Sequence, residues 1–224
     1  MKTQMIAVIA AVVGLATTIA AQTNAKMALA QKENKLALMK YEWKSRTEIQ
    51  KDGETKKDQL VLMSYDRDGN LQQAIIASSP EPDLPTRGLR GLIAKNKKKE
   101  FMQRLDELKT LAKSYGDLPA DKLQRFVSTA KVSIDQKLIR IQGYDVLQSG
   151  DLVTMWVDPV SQRQRRVEIV AKMDEKQVRI VSEFQDIPSG PTYMARNQVS
   201  YGDSLVIITQ NFDYVARAST GVGQ

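Results

Sequence analysis

The sequence contains neither cysteine nor histidine, and these two absences remove much of the chemistry on which enzymes and metalloproteins rely. Without cysteine there is no thiol nucleophile, no zinc ribbon and no iron–sulfur cluster. Without histidine the usual general base and the commonest metal ligand are missing. The sequence also lacks a phosphate-binding loop and a dinucleotide-binding fingerprint. We therefore expect a protein that is not an enzyme and that uses no cofactor and no metal ion.

A pair of carboxylates could still perform acid–base catalysis, as in glycoside hydrolysis. The candidates Asp145, Asp151 and Asp158 all fall at the ends of predicted strands, where turns favour aspartate in any case. The stretch DRDGN, from Asp66 to Asn70, begins like a calcium-binding loop but lacks the third ligand position and the closing glutamate. We interpret it as a hairpin turn.

Long hydrophobic runs are scarce, with one exception at the N-terminus. Lys2 precedes a run of small apolar residues from Met5 to Ala21, and the region offers two small-x-small cleavage sites. This pattern is typical of a secretory signal peptide, which we assign to residues 1–25. Together with the absence of cysteine, it predicts a bacterial periplasmic or secreted protein. The alternative is an uncleaved N-terminal membrane anchor, although the run is short for a membrane span.

Positive charge is concentrated in one segment. The chain has a formal net charge of +7, and residues 87–113 contain nine basic and three acidic side chains. In the same segment Phe101, Leu105 and Leu108 recur at helical spacing. The basic side of this helix is either a solvated face or a patch for anionic partners, namely lipid head groups or an envelope protein. Nucleic acid is the least favoured partner, because an exported protein rarely meets it, and we expect none.

The remaining chain is dominated by strands. Val167 and Ile169 alternate with Arg166 and Glu168, which is the period of a half-buried strand. Short turns join about nine such segments, so neighbouring strands should be antiparallel. From residue 138 onward the predicted strands are 138–147, 152–157, 164–172, 177–186, 192–200 and 205–216.

These patterns predict an α+β fold in which helices cover a curved antiparallel sheet, a half-barrel of about nine strands. The prolines of residues 78–85 interrupt the strand pattern before the helices begin. We expect a single domain over residues 26–216 with a helical insertion at 86–132, and a flexible tail at 217–224.

Three stretches carry a resemblance to a known family. WVDPVSQRQRRVEI, which begins at Trp156, resembles the W-x-D-P-x-[ST] turn and basic strand of the LolA-like periplasmic lipoprotein carriers and related envelope lipid-binding proteins. FQDIPSGPTYMARNQVSY, from Phe184, and IITQNFDYV, from Ile207, are similar to the following segment and the closing strand. The resemblance covers roughly residues 138–216. It implies a half-open antiparallel barrel, closed by helices over an apolar cavity that takes up acyl chains. The long basic helical insertion departs from a typical carrier.

Our leading hypothesis is an envelope protein that binds lipid or lipoprotein acyl chains in a helix-lidded apolar cavity, as a carrier or a sensor. The alternation pattern predicts a ligand lining of Trp43, Phe101, Leu105, Met155, Val167, Ile169, Ile180 and Phe184. The side chains predicted to contact head groups or a partner are Lys97, Lys98, Lys99 and Arg104. The alternative is a ligand-free scaffold whose basic helix docks an acidic partner. The cargo and the oligomeric state are left open.

Overall fold

The computed structural model describes residue 29 and residues 32–80, 88–116 and 118–217. The predicted signal peptide lies outside these residues, as does the predicted tail apart from Arg217. Among the helices in the described part of the chain, none combines the length and the apolar character needed to span a membrane.

Ten strands form one open, curved antiparallel sheet. They are β1 (Tyr41–Lys51), β2 (Glu54–Tyr65), β3 (Leu71–Ser78), β4 (Lys131–Asp135), β5 (Leu138–Tyr144), β6 (Leu152–Val157), β7 (Gln164–Met173), β8 (Lys176–Asp186), β9 (Thr192–Tyr201) and β10 (Leu205–Ala216). Their order across the sheet is β3-β2-β1-β10-β9-β8-β7-β6-β5-β4. The predicted curved antiparallel sheet is thus confirmed.

The two edge strands of the sheet, β3 and β4, follow each other along the chain. It runs outward from β1 to the edge strand β3, and helices α2 (Gly88–Gly116) and α3 (Ala120–Thr129) then lead to β4 at the opposite edge. Consecutive hairpins return the chain from β4 to β10, which pairs with β1. A shorter helix, α1, occupies residues 32–38 before the first strand.

The sheet has one strand more than the sequence pattern predicted. The missed strand is β4, whose apolar residues Val132 and Ile134 are 68% and 84% exposed. A five-residue strand without a buried face gives almost no periodic signal. Strand β5 also ends three residues earlier than predicted, at Tyr144, because the chain turns at Asp145, which has a φ of 53°.

The buried core lies between one face of the sheet and helices α2 and α3. Leu108 and Tyr115 of α2 and Phe126 of α3 belong to the same buried cluster as side chains from the sheet. The sheet contributes Ile49, Val153, Ile169, Ala171, Val178, Ile180, Val199, Tyr201 and Leu205. Full burial of one such aliphatic side chain contributes about 1.5–3 kcal/mol. We call the sheet face that carries this cluster the inner face.

A glycine in the sheet allows helix α3 to pack closely against it. A Cβ atom added to Gly143 of β5 would lie 2.5 Å from Cδ2 of Phe126. The Phe126 ring therefore occupies the space that any other side chain would need at position 143, and the ring is 3% exposed. The pattern of apolar residues does not reveal this close approach of helix and strand.

Candidate functional site

An open cleft of about 800 Å³ lies at the end of the sheet that carries α1. One wall is α1, and the others are the ends of β8 and β9 and the two turns at residues 161–163 and 189–191. The lining residues are Glu33, Asn34, Lys35, Ala37, Leu38, Lys40, Tyr41, Ser161, Gln162, Arg163, Gln164, Phe184, Ser189, Gly190, Pro191, Thr192, Tyr193 and Met194.

Helix α1 is fastened to the sheet at the cleft by one side-chain amide. Asn34 donates from Nδ2 to the carbonyl oxygen of Thr192 at 2.7 Å, and the Thr192 N–H donates to Oδ1 of Asn34 at 2.7 Å. The amide thereby satisfies both backbone groups of the first residue of β9. A side chain with one donor and one acceptor at this spacing is needed to make both bonds.

The polar side of the cleft is organised around one carboxylate. Asp186 pairs with Arg163 at 3.0 Å and with Arg165 at 2.8 Å, and it accepts a hydrogen bond from Oγ1 of Thr192 at 2.6 Å. Partial burial alone would raise the pKa of Asp186, but these three donors outweigh it and the pKa is lowered. Arg163 also donates to the carbonyl of Gly190 at 3.2 Å. Arg163 therefore joins the turn at residues 161–163 to the end of β8 by an ion pair and to the turn at residues 189–191 by a hydrogen bond.

The apolar side of the cleft continues into an aromatic cluster. Tyr193 lines the cleft and lies 4.2 Å from Tyr214 between ring centroids. Tyr214 stacks on Trp43 at 5.3 Å, and Trp43 contacts Tyr65 at 5.6 Å. Burial is the main cause that raises the pKa of Tyr214, so its hydroxyl stays neutral at physiological pH. The cleft thus borders a neutral, aromatic interior.

The structure divides the predicted ligand lining between two regions. Phe184 lines the cleft, and Trp43, 7% exposed, lies behind it in the aromatic cluster. Ile169 and Ile180, by contrast, are buried in the core beneath α2, where they are 7% and 3% exposed. The predicted residues that pack against this core as partly buried side chains are Phe101, Leu105, Met155 and Val167.

The predicted basic contacts differ in their surroundings. Lys97, Lys98 and Lys99 are exposed on α2. Arg104 instead holds the helix to the sheet, because it pairs with Glu107 at 2.8 Å and with Asp174 of the β7–β8 turn. Its guanidinium carbon also lies 5.0 Å from the ring centroid of Tyr201. Arg104 is therefore part of the fold, and the three lysines form the accessible basic surface.

The three aspartates considered for catalysis all accept hydrogen bonds from backbone N–H groups of their own turns or loops. Asp151 is fully buried and accepts hydrogen bonds from three backbone N–H groups and from Tyr115. Asp145 accepts from the N–H of Gly150 at 2.7 Å, and Asp158 accepts from the N–H of Ser161 at 3.0 Å. The bonds from the backbone N–H groups of Ser161 and Val160 lower the pKa of Asp158.

The stretch DRDGN forms the hairpin turn between β2 and β3, as predicted. Oδ1 of Asp66 accepts hydrogen bonds from the N–H groups of Asp68 and Asn70 at 3.0 and 2.8 Å. Gly69 supplies a φ of 80° in this turn. Over the described ranges of the chain, no cluster of three or more acidic side chains could hold a metal ion.

Trp156, in the stretch that resembles the LolA-like family, lies on the face of the sheet opposite the core. It is directly opposite Arg140 and Arg166 on the neighbouring strands, and their guanidinium carbons lie 6.0 and 5.3 Å from its ring. Its indole N–H donates to Asp135 at 2.9 Å. Trp156 thus braces four strands from outside through cation–π contacts and a hydrogen bond. It takes no part in the cleft.

Several cleft residues escaped the sequence analysis, above all Asn34, Arg163, Tyr193 and Met194. Arg163, Tyr193 and Met194 lie in or beside the turns at residues 158–163 and 187–191, which the sequence did not bring together as one site. Nothing in the sequence indicated that α1 would lie beside both turns. Comparison of the chain with family models, curated proteins and solved structures gave no significant match.

Proposed function

We propose that this chain is an exported protein of the bacterial envelope that binds a lipid or lipoprotein acyl chain, as a carrier or a sensor. The observation that carries the proposal is the open cleft of about 800 Å³ beside α1. This volume lies within the range of small-molecule sites, roughly 300–1,000 Å³. In this proposal the architecture is a LolA-like half-barrel covered by helices, and α1 borders the entrance.

The chemistry of the cleft favours an amphiphile. Phe184, Tyr193 and Met194 provide an apolar surface for a hydrocarbon chain, and Leu38 faces it from α1. Lys35 lies on the same helix and Lys40 lies in the turn that follows it, and within the described ranges neither forms an ion pair. The tail of a ligand with one apolar chain and one anionic group would contact the apolar side chains of this lining, and its anionic group would pair with the lysines.

The proposed lining therefore differs from one centred on the core beneath α2. Val178 and Leu108 are 0% and 1% exposed there, and Ile169 and Ile180 pack against the same cluster. A tail in that region would have to displace closely packed side chains. We place the ligand in the cleft, next to Phe184.

The test is native mass spectrometry of the purified chain in the absence of detergent, followed by organic extraction and by addition of palmitate. We expect an adduct that extracts as a lipid, and uptake of palmitate that Phe184→Asp abolishes. The matched control is Ile134→Asp, which alters an apolar residue that is 84% exposed on β4. A bare-chain mass before and after palmitate addition would rule out the carrier function.

The second candidate is a ligand-free scaffold that docks an acidic partner through α2. The close packing beneath α2 and the exposed Lys97 and Lys99 favour it. Sedimentation with vesicles of phosphatidylglycerol or of phosphatidylcholine distinguishes the scaffold from the lipid carrier. A scaffold that docks on anionic surfaces sediments with the first vesicles and not the second, and the pair of changes Lys97→Glu and Lys99→Glu releases it. Loss of palmitate uptake in that same variant would instead assign the lysines to the carrier.

A further inference from the structure

The two edge strands of the sheet differ in how they are protected. Edge strands expose unpaired backbone N–H and C=O groups, and proteins usually shield them by shortness, charge or proline. Strand β4 follows this rule, because it has only five residues and begins with Lys131 and ends with Asp135. Strand β3 does not, because its eight residues, LQQAIIAS, include neither a charge nor a proline.

Strand β3 is also exposed along its whole length. All eight residues are exposed, and Leu71, Ile75 and Ile76 are 52%, 66% and 51% exposed. Within the sheet β3 pairs with β2 in a regular register from Leu71 to Ile75, with Leu71 opposite Tyr65, Gln73 opposite Met63 and Ile75 opposite Val61, and the register shifts at Ile76. The strand therefore offers a formed, uncharged edge that can accept one more antiparallel strand.

The sequence of β3 is complementary to itself about Gln73. In an antiparallel pair of two copies with Gln73 opposite Gln73, Leu71 lies opposite Ile75 of the other copy and Gln72 lies opposite Ala74. The apolar pair then occurs twice on the inner face, and the two Gln73 amides meet at the twofold axis. Because β3 carries no charge, no like charges are brought together.

We propose that β3 is a homodimer interface, in which two copies pair antiparallel about Gln73 and extend the sheet across the twofold axis. The inference is independent of the proposed lipid binding. No residue of β3 lines the cleft, so both clefts of the dimer stay accessible. The partner is a second copy of this chain, since the complementarity about Gln73 is between the strand and itself.

The absence of cysteine makes a cross-linking test unambiguous. In the proposed register the two Gln73 Cα atoms lie about 4.5–5.5 Å apart, which suits a disulfide. We expect Gln73→Cys to give a disulfide-linked dimer on mild oxidation, seen by non-reducing electrophoresis and intact mass. Leu71→Cys and Ile75→Cys should each fail to link alone, because each lies about 14 Å from its own copy. They should link when the two variants are mixed.

Ser133→Cys, on the opposite edge strand β4, is the control for random collision. If it links as readily as Gln73→Cys, or if Gln73→Cys stays monomeric, the interface is wrong. Sedimentation velocity gives the independent readout, with folding of each variant verified by circular dichroism. We expect a concentration-dependent dimer that Ile75→Lys eliminates and Ile134→Lys on β4 leaves intact. A wild-type chain that is monomeric at every loading, or a dimer that survives Ile75→Lys, overturns the proposal.

Discussion

The phenol of Tyr115 donates a 2.6 Å hydrogen bond to the carboxylate of Asp151, and both side chains are buried. Tyr115 ends the apolar stripe of α2, and Asp151 lies in the β5–β6 loop, where it also accepts from the N–H groups of Val146, Leu147 and Gln148. Burial, with the bond to Asp151, raises the pKa of Tyr115, so its hydroxyl remains a donor at physiological pH. One carboxylate thus closes the loop and holds the last turns of α2 on the sheet.

We expect Asp151→Asn to be strongly destabilising. The amide keeps one acceptor but turns an NH₂ group toward backbone donors, which leaves buried N–H groups unpaired. Such losses cost roughly 2–3 kcal/mol of the free energy of unfolding, and Tyr115→Phe should cost about 2 kcal/mol. Urea unfolding measures both changes. The control is Tyr144→Phe, since Tyr144 is 59% exposed. Equal effects for Tyr115→Phe and Tyr144→Phe would contradict the role of the buried bond.

The contact between Gly143 and Phe126 leads to a prediction about α3. Gly143→Ala places a methyl group within 2.5 Å of the ring, and overpacking of this kind costs about 1–3 kcal/mol. We expect a lower unfolding midpoint and faster hydrogen exchange in residues 120–129. Gly116→Ala is the matched control, because nothing lies within 4 Å of a Cβ atom there. In the Phe126→Ala background the cost of Gly143→Ala should largely disappear, whereas an undiminished cost would refute the proposed clash.

The Asn34–Thr192 pair leads to a prediction about α1. Asn34→Ala removes both hydrogen bonds to Thr192, and each is worth about 1 kcal/mol. We expect faster amide exchange across residues 32–38, with little change in global stability, since α1 lies outside the core. Asn34→Asp keeps the acceptor and loses the donor, so its effect should be intermediate. Lys32→Ala, at an exposed position of the same helix, is the control, and an equal increase in exchange there would disprove the fastening role.

The ion pairs of Asp186 lead to a pH dependence. Because the pKa of Asp186 in the folded protein lies below its ordinary value of 3.8, its stabilisation is complete above that pH. This stabilisation is lost as the pH falls through the lowered pKa of the folded state. Unfolding free energies of the wild type and of Asp186→Asn should therefore converge as the pH falls below the lowered pKa of Asp186. Asp203→Asn, at an exposed turn, is the comparison, and a wild-type advantage over Asp186→Asn that persists at the acid limit would contradict the assignment.

Much of the sheet was predictable, because strands with one buried face carry a period-two signal. In β7 and β8, Ile169 and Ile180 lie opposite each other on the inner face, as their alternation predicts. Strand β4 was not predictable in this way, since neither of its faces is buried. The turn at Asp66 was predictable from local turn chemistry, because this side chain accepts hydrogen bonds from the nearby N–H groups of Asp68 and Asn70.

The candidate site was only partly predictable. Phe184 was expected to line the ligand site, and it does line the cleft. Ile169 follows the same alternation and belongs to the closed core, because alternation reports which face a residue occupies and not whether a helix packs on it. Asn34 meets Thr192 across 158 residues of chain, a contact for which a single sequence gives no signal.

Three features follow from the sequence alone. It contains no cysteine or histidine, its positive charge is concentrated in residues 87–113, and its strands have alternating faces. These are local properties, set by composition and by backbone periodicity. The tertiary structure decided which inner-face side chains pack with residues of α2 and α3 and which residues line the cleft beside α1. It also decided that β3 and β4 become the two edges. Such features depend on contacts between residues far apart in the chain, which packing and chain connectivity fix together.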